Sequence, residues 1–267
     1  MVRFGELFLH QVMHNGVFDS RVALMKSSLR RYTVALLCFC VVTAGASAGV
    51  VDDVSKIKAD DAVQDKLLVD GIAVMKSGDP AGAMRDYFDR MIAANDQRIA
   101  AAGKKVYAAR TPVESLAYLA AAANSQTGAV VYASQMTYAH FMKAYVLIEL
   151  HRDAEAKAEL DAALALSPDN AQVLDELGSW YERQKDWDHA LQNFQRAQDA
   201  APLSPPAAKN FELSAAWRGI GYVYVEQHRL ADAEQMYLKC LELDANDKKA
   251  AGELAYVRAR QQKEGAH

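Results

Sequence analysis

Cys240, His151 and His228 carry the most distinctive side-chain chemistry in this chain. A thiol becomes a nucleophile or a ligand only where a base, a second thiol or a metal favours the thiolate. The chain has three cysteines, but Cys38 and Cys40 fall in an apolar run expected to be removed, which leaves Cys240 without a thiol partner. One cysteine makes neither an internal disulfide nor a Cys-based zinc site, so Cys240 reads as a buried, inert thiol. His151 and His228 occupy the same position of a repeat set out below, in turns between paired helices, with Lys185 at the matching place between them. Equivalent turns adjoin only in neighbouring copies, so these read as separate turn histidines, and His189 reads the same way. The carboxylates Asp153, Glu155 and Glu159, and Asp232 with Glu234, fit solvated helix faces. General acid–base work needs paired groups in a desolvated cleft. No H-E-x-x-H, phosphate-binding glycine loop or Cys/His cluster accompanies them. Catalytic residues, cofactors and metals are therefore not expected.

The elements that carry these residues are helical. Hydrophobic residues make up 51% of the 267, alanine is abundant, and there are only 14 Gly and 6 Pro. Alanine has the highest helix propensity, and a sheet protein would need turn residues every 8–12 positions or so. At the N-terminus, Lys26, Arg30 and Arg31 precede the apolar run Val34–Val42, and Ala46-Ser47-Ala48 follows. A charged start, a short apolar middle and an A-x-A end make a secretory signal. The run is well short of the roughly 20 apolar residues of a membrane-spanning helix. Residues 1–48 thus read as a pre-region and signal peptide, with Met25 as the initiator and a mature start near Gly49. Export to a bacterial periplasm or cell envelope is the expectation, with membrane contact only through an uncleaved signal. Those 48 residues take five basic and two acidic side chains from totals of 30 and 34, leaving 25 against 32, a net of −7. A mildly acidic chain without a basic stripe is a poor nucleic-acid binder, because phosphate neutralisation supplies most of that affinity.

The strongest signal is internal repetition. Pro168 and Pro202 are 34 residues apart, as are Ala156 and Ala190, Leu160 and Phe194, and Ala163 and Ala197. Gly178, Tyr181 and Ala190 recur 43 residues on as Gly221, Tyr224 and Ala233, an offset of 34 plus nine. The nine extra residues, 205–213, open with Pro205-Pro206 and are expected to form a loop. Leu174, Leu177, Gly178 and Tyr181 follow the i, i+3, i+4, i+7 spacing of one helix face, and Ala190, Phe194 and Ala197 do so on the next helix. Gly178, Ala190 and Ala197 are small where two helices cross closely; Lys185-Asp186 makes the turn, and Pro202 ends the second helix.

This pattern resembles the tetratricopeptide family. Residues 171–204 give the closest copy, through Leu177, Gly178, Tyr181, Ala190, Phe194, Ala197 and Pro202. Residues 214–247 match through Trp217, Ile220, Gly221, Tyr224, Ala233 and Tyr237, and residues 137–170 through Ala156, Leu160, Ala163 and Pro168, with His140 and Lys143 at positions usually apolar. The resemblance implies an all-α, right-handed solenoid of helical hairpins over 137–247. Residues 248–267 supply a capping helix, with Ala250, Leu254 and Val257 on its buried face, and a tail. Upstream, 49–135 reads as a divergent helical region. Within it, 64–97 reads as a degenerate repeat in which Asp70 and Arg90 are out of phase, and 98–135 as an insert. There, Thr111-Pro112-Val113-Glu114 starts a helix, and Ala129–Tyr132 reads as extended and able to pair with Val106-Tyr107.

What the resemblance implies about function is a concave groove, lined by the first helix of each repeat, that takes a protein or an extended peptide. Carried onto this sequence, the groove positions are Tyr138, Phe141 and Tyr145, then Gln172, Asp175, Ser179 and Glu182, then Arg218 and Tyr222. The aromatics and Arg218 suit binding hot spots, although Phe141 and Tyr145 also suit packing against 98–135. Asp175 and Ser179 stand where a carboxylate clamp would want Lys and Asn, so a partner held by its C-terminal carboxylate is not expected. A structural subunit of an envelope assembly is the second reading. An enzyme or small-molecule receptor built on 98–135 is the third.

Overall fold

The computed structural model describes residues 47–125 and 128–264. The expected signal run, Met25, Cys38 and Cys40 lie outside them. The chain divides into two units at Lys58/Ala59; of the first, residues 47–58 are described, as the start of helix α1 (Ser47–Lys76). The second unit holds everything that follows.

Residues 64–97 fold as a helical hairpin. Gln64, Leu68, Ile72 and Met75 bury one face of α1. Gly78 turns the chain at φ +96°, and Asp79 caps the next helix by accepting from the Gly82 N–H at 2.8 Å, with Pro80 in its first turn. That helix starts as α2 (Pro80–Ala83), passes through a π-turn (Met84–Phe88), and continues as α3 (Asp89–Ala102). The π-turn adds one residue to the helical repeat. The buried positions therefore slip from Tyr87 and Arg90 to Phe88 and Met91, both 0% exposed. This slip is why Arg90 is out of phase in the sequence.

Gly103, at φ +60°, ends α3 and releases the chain into β1 (Lys105–Ala109). Helix α4 (Pro112–Asn124) follows, started by the Thr111 hydroxyl accepting from the Glu114 N–H at 3.0 Å. Then β2 (Ala129–Ala133) pairs with β1 in parallel, Val106 opposite Val130 and Tyr107 opposite Val131. Parallel strands need a crossover connection, and α4 is that crossover. Val106 and Ala108 pack into a core with Met136 and Leu166, so the sheet seats on the first repeat.

Three hairpins and a cap complete the fold: α5 (Gln135–Glu149) with α6 (Asp153–Leu166), α7 (Ala171–Arg183) with α8 (Trp187–Ala200), and α9 (Pro206–Glu226) with α10 (Leu230–Leu243), then α11 (Lys248–Glu264). Their turns place His151, Lys185 and His228 at φ +58°, +57° and +60°, the left-handed region glycine fills in the first hairpin. The second helices bury the expected faces: Ala156, Leu160 and Ala163; Ala190, Phe194 and Ala197; Ala233, Tyr237 and Cys240. His140 and Lys143, polar where the repeat is usually apolar, face carboxylates: His140 Nδ1 lies 2.6 Å from Glu159, and Lys143 bonds Glu159 and Asp89, each at 2.8 Å. Ala250, Leu254 and Val257 seat the cap.

One expectation is corrected. Residues 205–213 form no loop; from Pro206 on they are the first turns of α9, which runs 21 residues unbroken. Pro206 at the first helical position lacks an N–H that would have gone unpaired there anyway, and Ala207–Leu213 contains no breaker. The all-α solenoid otherwise holds, with the two-stranded sheet as its one addition among the described residues.

Candidate functional site

Helices α7 and α9 run side by side with α8 backing both, so the first-helix faces away from α8 form one surface. Asp175, Glu176, Ser179, Glu182 and Arg183 lie on that stripe of α7, at steps of three and four. Arg218, Tyr222 and Glu226 continue it on α9, and Lys249, Glu253 and Tyr256 on α11.

The expected groove residues divide by what they touch. Tyr222 is 37% exposed, with its ring 6.4 Å from that of Trp187. Arg218 is tied down: Nη1 donates to Asp247 Oδ2 at 2.6 Å and to Ser214 Oγ at 2.8 Å. Gln172, Ser179 and Tyr145 are half-buried. Phe141, at 3% exposure, has left the surface and is corrected to a core residue; its ring meets Tyr138 edge-on at 6.4 Å. A large apolar ring there is worth more buried than facing water.

Asp175 and Glu182 are electrostatically loaded. Burial pushes the Asp175 carboxyl up to about 8, Glu176 adds to it, and Arg218 opposes. Its Oδ1 is shielded from solvent and accepts no hydrogen bond. Burial likewise lifts Glu182 to about 7, with Glu176, Glu226 and Glu253 pushing the same way and Arg183 against. Arg183 lies 3.7 Å from Glu176, and its buried Nε and Nη2 donate to no acceptor. Desolvation disfavours the ionised carboxylate, and neighbouring like charges compound it.

One side of this surface is built by the two segments that break the repeat phase. Arg110, just past β1, donates to Glu114 at 3.0 Å, to Glu212 at 2.7 Å and to Ser204 at 3.2 Å, while Ser204 donates to Glu212 at 2.5 Å. All are buried, with the side chains of Arg110, Glu114 and Glu212 at 2%, 0% and 6% exposure. Burial would drive the guanidinium down, but Glu212, Tyr138 and Glu114 hold it well above its ordinary range. The helical extension 206–213 is what carries Glu212 to Arg110. Nothing in the sequence marked this cluster, because its members span 102 residues and only Ser204, at the end of one copy, lies in a repeat. Glu176, Arg183, Glu226, Glu253 and Tyr256 were also missed, though the first four lie three or four residues along from named groove or cap positions.

The repeat is now explicit in hairpins, turns and small-residue crossings. A family model, the tetratricopeptide repeat, matches residues 137–170 and 215–247. Both stretches are tetratricopeptide repeats. Between the matched stretches, α7 and α8 form a hairpin of the same construction. No curated protein sequence matches the chain. Among solved structures it is similar to the pilF protein of Pseudomonas aeruginosa, at 18% identity and a TM-score of 0.55, over 77% of this chain and 72% of that one. It also overlaps the first TPR of Spaghetti (RPAP3) bound to the HSP90 peptide SRMEEVD, at 21% identity and a TM-score of 0.42, over 48% of this chain and 98% of that one. MamA AMB-1 gives 15% identity and a TM-score of 0.45, over 76% and 84%. The likeness to pilF is one of fold. Among the described residues, this TPR array holds no group of three or more His, Cys, Asp or Glu placed to bind a metal, and no helix long and apolar enough to cross a membrane.

Proposed function

We propose that this TPR protein is a non-catalytic scaffold that binds another protein, or an extended segment of one, on the first-helix surface of α5, α7, α9 and α11. One observation carries the reading. The stripe presents the Tyr222 ring, 37% exposed, with the half-buried charged side chains of Glu182 and Arg183 on the neighbouring helix. Aromatic rings are enriched at binding hot spots, and a partner laid along the stripe would take this one out of water. The protein immobilised on resin should retain a partner from extract of the source cells, and Tyr222→Ala should cut retention about tenfold, the scale of an aromatic hot spot. Equal retention by wild type and variant would sink the groove reading.

The place of action we propose is the bacterial envelope, after export, on the strength of the Lys26–Ala48 pattern. Cell fractionation with peptide mapping tests it: recovery of peptides from 1–46 in the native protein, or a purely cytoplasmic pool, overturns it.

A second reading, a subunit packed into an assembly, draws support from α4. Its buried side carries Glu114, Tyr118 and Ala122, whereas Val113, Leu116 and Leu119 point outward at 56%, 68% and 42% exposure. Contiguous outward apolar residues mark interaction surfaces. Leu116→Asp should release the protein from such an assembly and leave groove binding intact.

A further inference from the structure

The inner surface of the TPR array is electrically unbalanced at one end. Glu182 lies in the last turn of α7, Tyr222 and Glu226 in the last turns of α9, and Glu253 and Tyr256 on α11. Though they come from different helices, they act on one another. Glu182 feels Glu176, Glu226 and Glu253, and Tyr222 feels Glu226, Glu182, Glu253 and Tyr256. Around Glu182, four carboxylates, its own included, thus meet the single guanidinium of Arg183. The C-terminal ends of α7 and α9 add the negative poles of two helix dipoles to the same place.

The fold gains nothing from this arrangement, because gathered like charges oppose compaction. Two further features turn the imbalance into a recognition surface. The first is aromatic: Tyr222 and Tyr256 stand 37% and 52% exposed beside the carboxylates, and ring faces attract cations. Arg260 already lies over the Tyr256 ring at 5.9 Å, an internal instance of that contact. The second is reach: Glu226 and Glu253 stand exposed, and neither is paired with a cation among the described residues. An acidic segment, by contrast, would meet four carboxylates, and the cation one helix over, Arg218, is occupied by Asp247 at 2.6 Å.

We propose that this end of the surface holds a Lys or Arg side chain of an extended basic protein segment, set between Glu182, Glu226 and Glu253 and laid against Tyr222 and Tyr256. The proposal rests on the groove reading above and adds the partner's charge to it. Binding is then salt-sensitive, since partly exposed charges are screened beyond about 8 Å at physiological ionic strength.

Fluorescence anisotropy with the full chain and three labelled peptide pools of equal length, Lys/Arg-rich, Glu/Asp-rich and neutral, tests it. The basic pool should bind tightest, lose about tenfold in affinity when salt rises from about 0.05 to 0.3 M, and weaken about tenfold with Glu182→Gln or Glu226→Gln. Circular dichroism of the variants keeps misfolding apart from lost recognition. Tyr222-dependent binding of the acidic or neutral pool at equal or higher affinity overturns the basic-partner inference and leaves the groove reading standing. If no pool binds while partner retention on resin stays sensitive to Tyr222→Ala, the inference falls alone. If Glu182→Gln and Glu226→Gln bind the basic pool as wild type does, the assignment of these carboxylates falls.

Discussion

Phe194 stands between two glycines. A Cβ built on Gly178 would lie 2.7 Å from its ring, and one built on Gly219 would lie 2.5 Å away. The ring is 1% exposed and has no room to withdraw, so α7 and α9 both reach α8 through positions that tolerate no side chain. Gly178→Ala should therefore destabilise the fold by about 1–3 kcal/mol, the usual cost of overpacking a filled core, despite alanine's better helix propensity. Urea unfolding measures this, and a variant as stable as wild type would mean that the ring can move. Gly178 was legible from the sequence because it sits on the repeat. Gly219 was not, since nothing in a single helix shows that a residue two places off the repeated glycine also meets the neighbouring ring.

The elements that break the repeat are the ones that hold the insert. β1, α4 and β2 cannot bury their own core, and they are tied to the array by the Arg110 cluster and by the Thr111 hydroxyl donating to the Leu203 carbonyl at 3.0 Å. Removing one member of a buried ion pair strands its partner, at about 3–5 kcal/mol. Arg110→Ala leaves Glu114 and Glu212 facing each other in a dry site, so it should lose stability on that scale. The loss of amide-exchange protection should concentrate in 105–133. A cost below about 1 kcal/mol would show the carboxylates escaping to solvent and the cluster to be dispensable. The proline pair at 205–206 reads as a loop signal in isolation. It begins a helix because Pro in a first turn is as natural there as in a turn, and the extension's role appears only when Glu212 is seen against Arg110.

At the scale of the molecule, charge sets a pH dependence. Asp175 is pushed up to about 8 and Glu182 to about 7, both mainly by burial. A group with a raised folded pKa contributes stability that is fully present below its unfolded value and is lost as pH rises through the folded one. Two other carboxylates work in reverse. Burial raises both, but His140 and Lys143 hold Glu159 below its ordinary value, and the Ala250 N–H with Arg218 does so for Asp247. Their contribution is present above the ordinary carboxylate range and is lost as pH falls through the depressed values. The array should thus be more stable near pH 5.5 than near pH 8.5, with a higher Tm at the lower pH. Asp175→Asn combined with Glu182→Gln should flatten that difference; a Tm that rises from pH 5.5 to 8.5 in the wild type would contradict the loading of these groups.

The sequence by itself determined the repeat, its hairpins and the helix that caps them. Small and large residues recurring at 34 positions encode contacts between adjacent helices, and those contacts are local. It also located most of the surface stripe on α7 and α9, since helix phase tells which way each side chain points. Tertiary structure alone decided the rest. It buried Phe141, whose ring turns edge-on to Tyr138 where open surface was expected. It slipped the first hairpin's face from Tyr87 and Arg90 to Phe88 and Met91 through a π-turn, which spacing cannot show before the helix is built. And it brought Glu182, Glu226 and Glu253 together from three helices, a charge balance that exists only after the helices have packed.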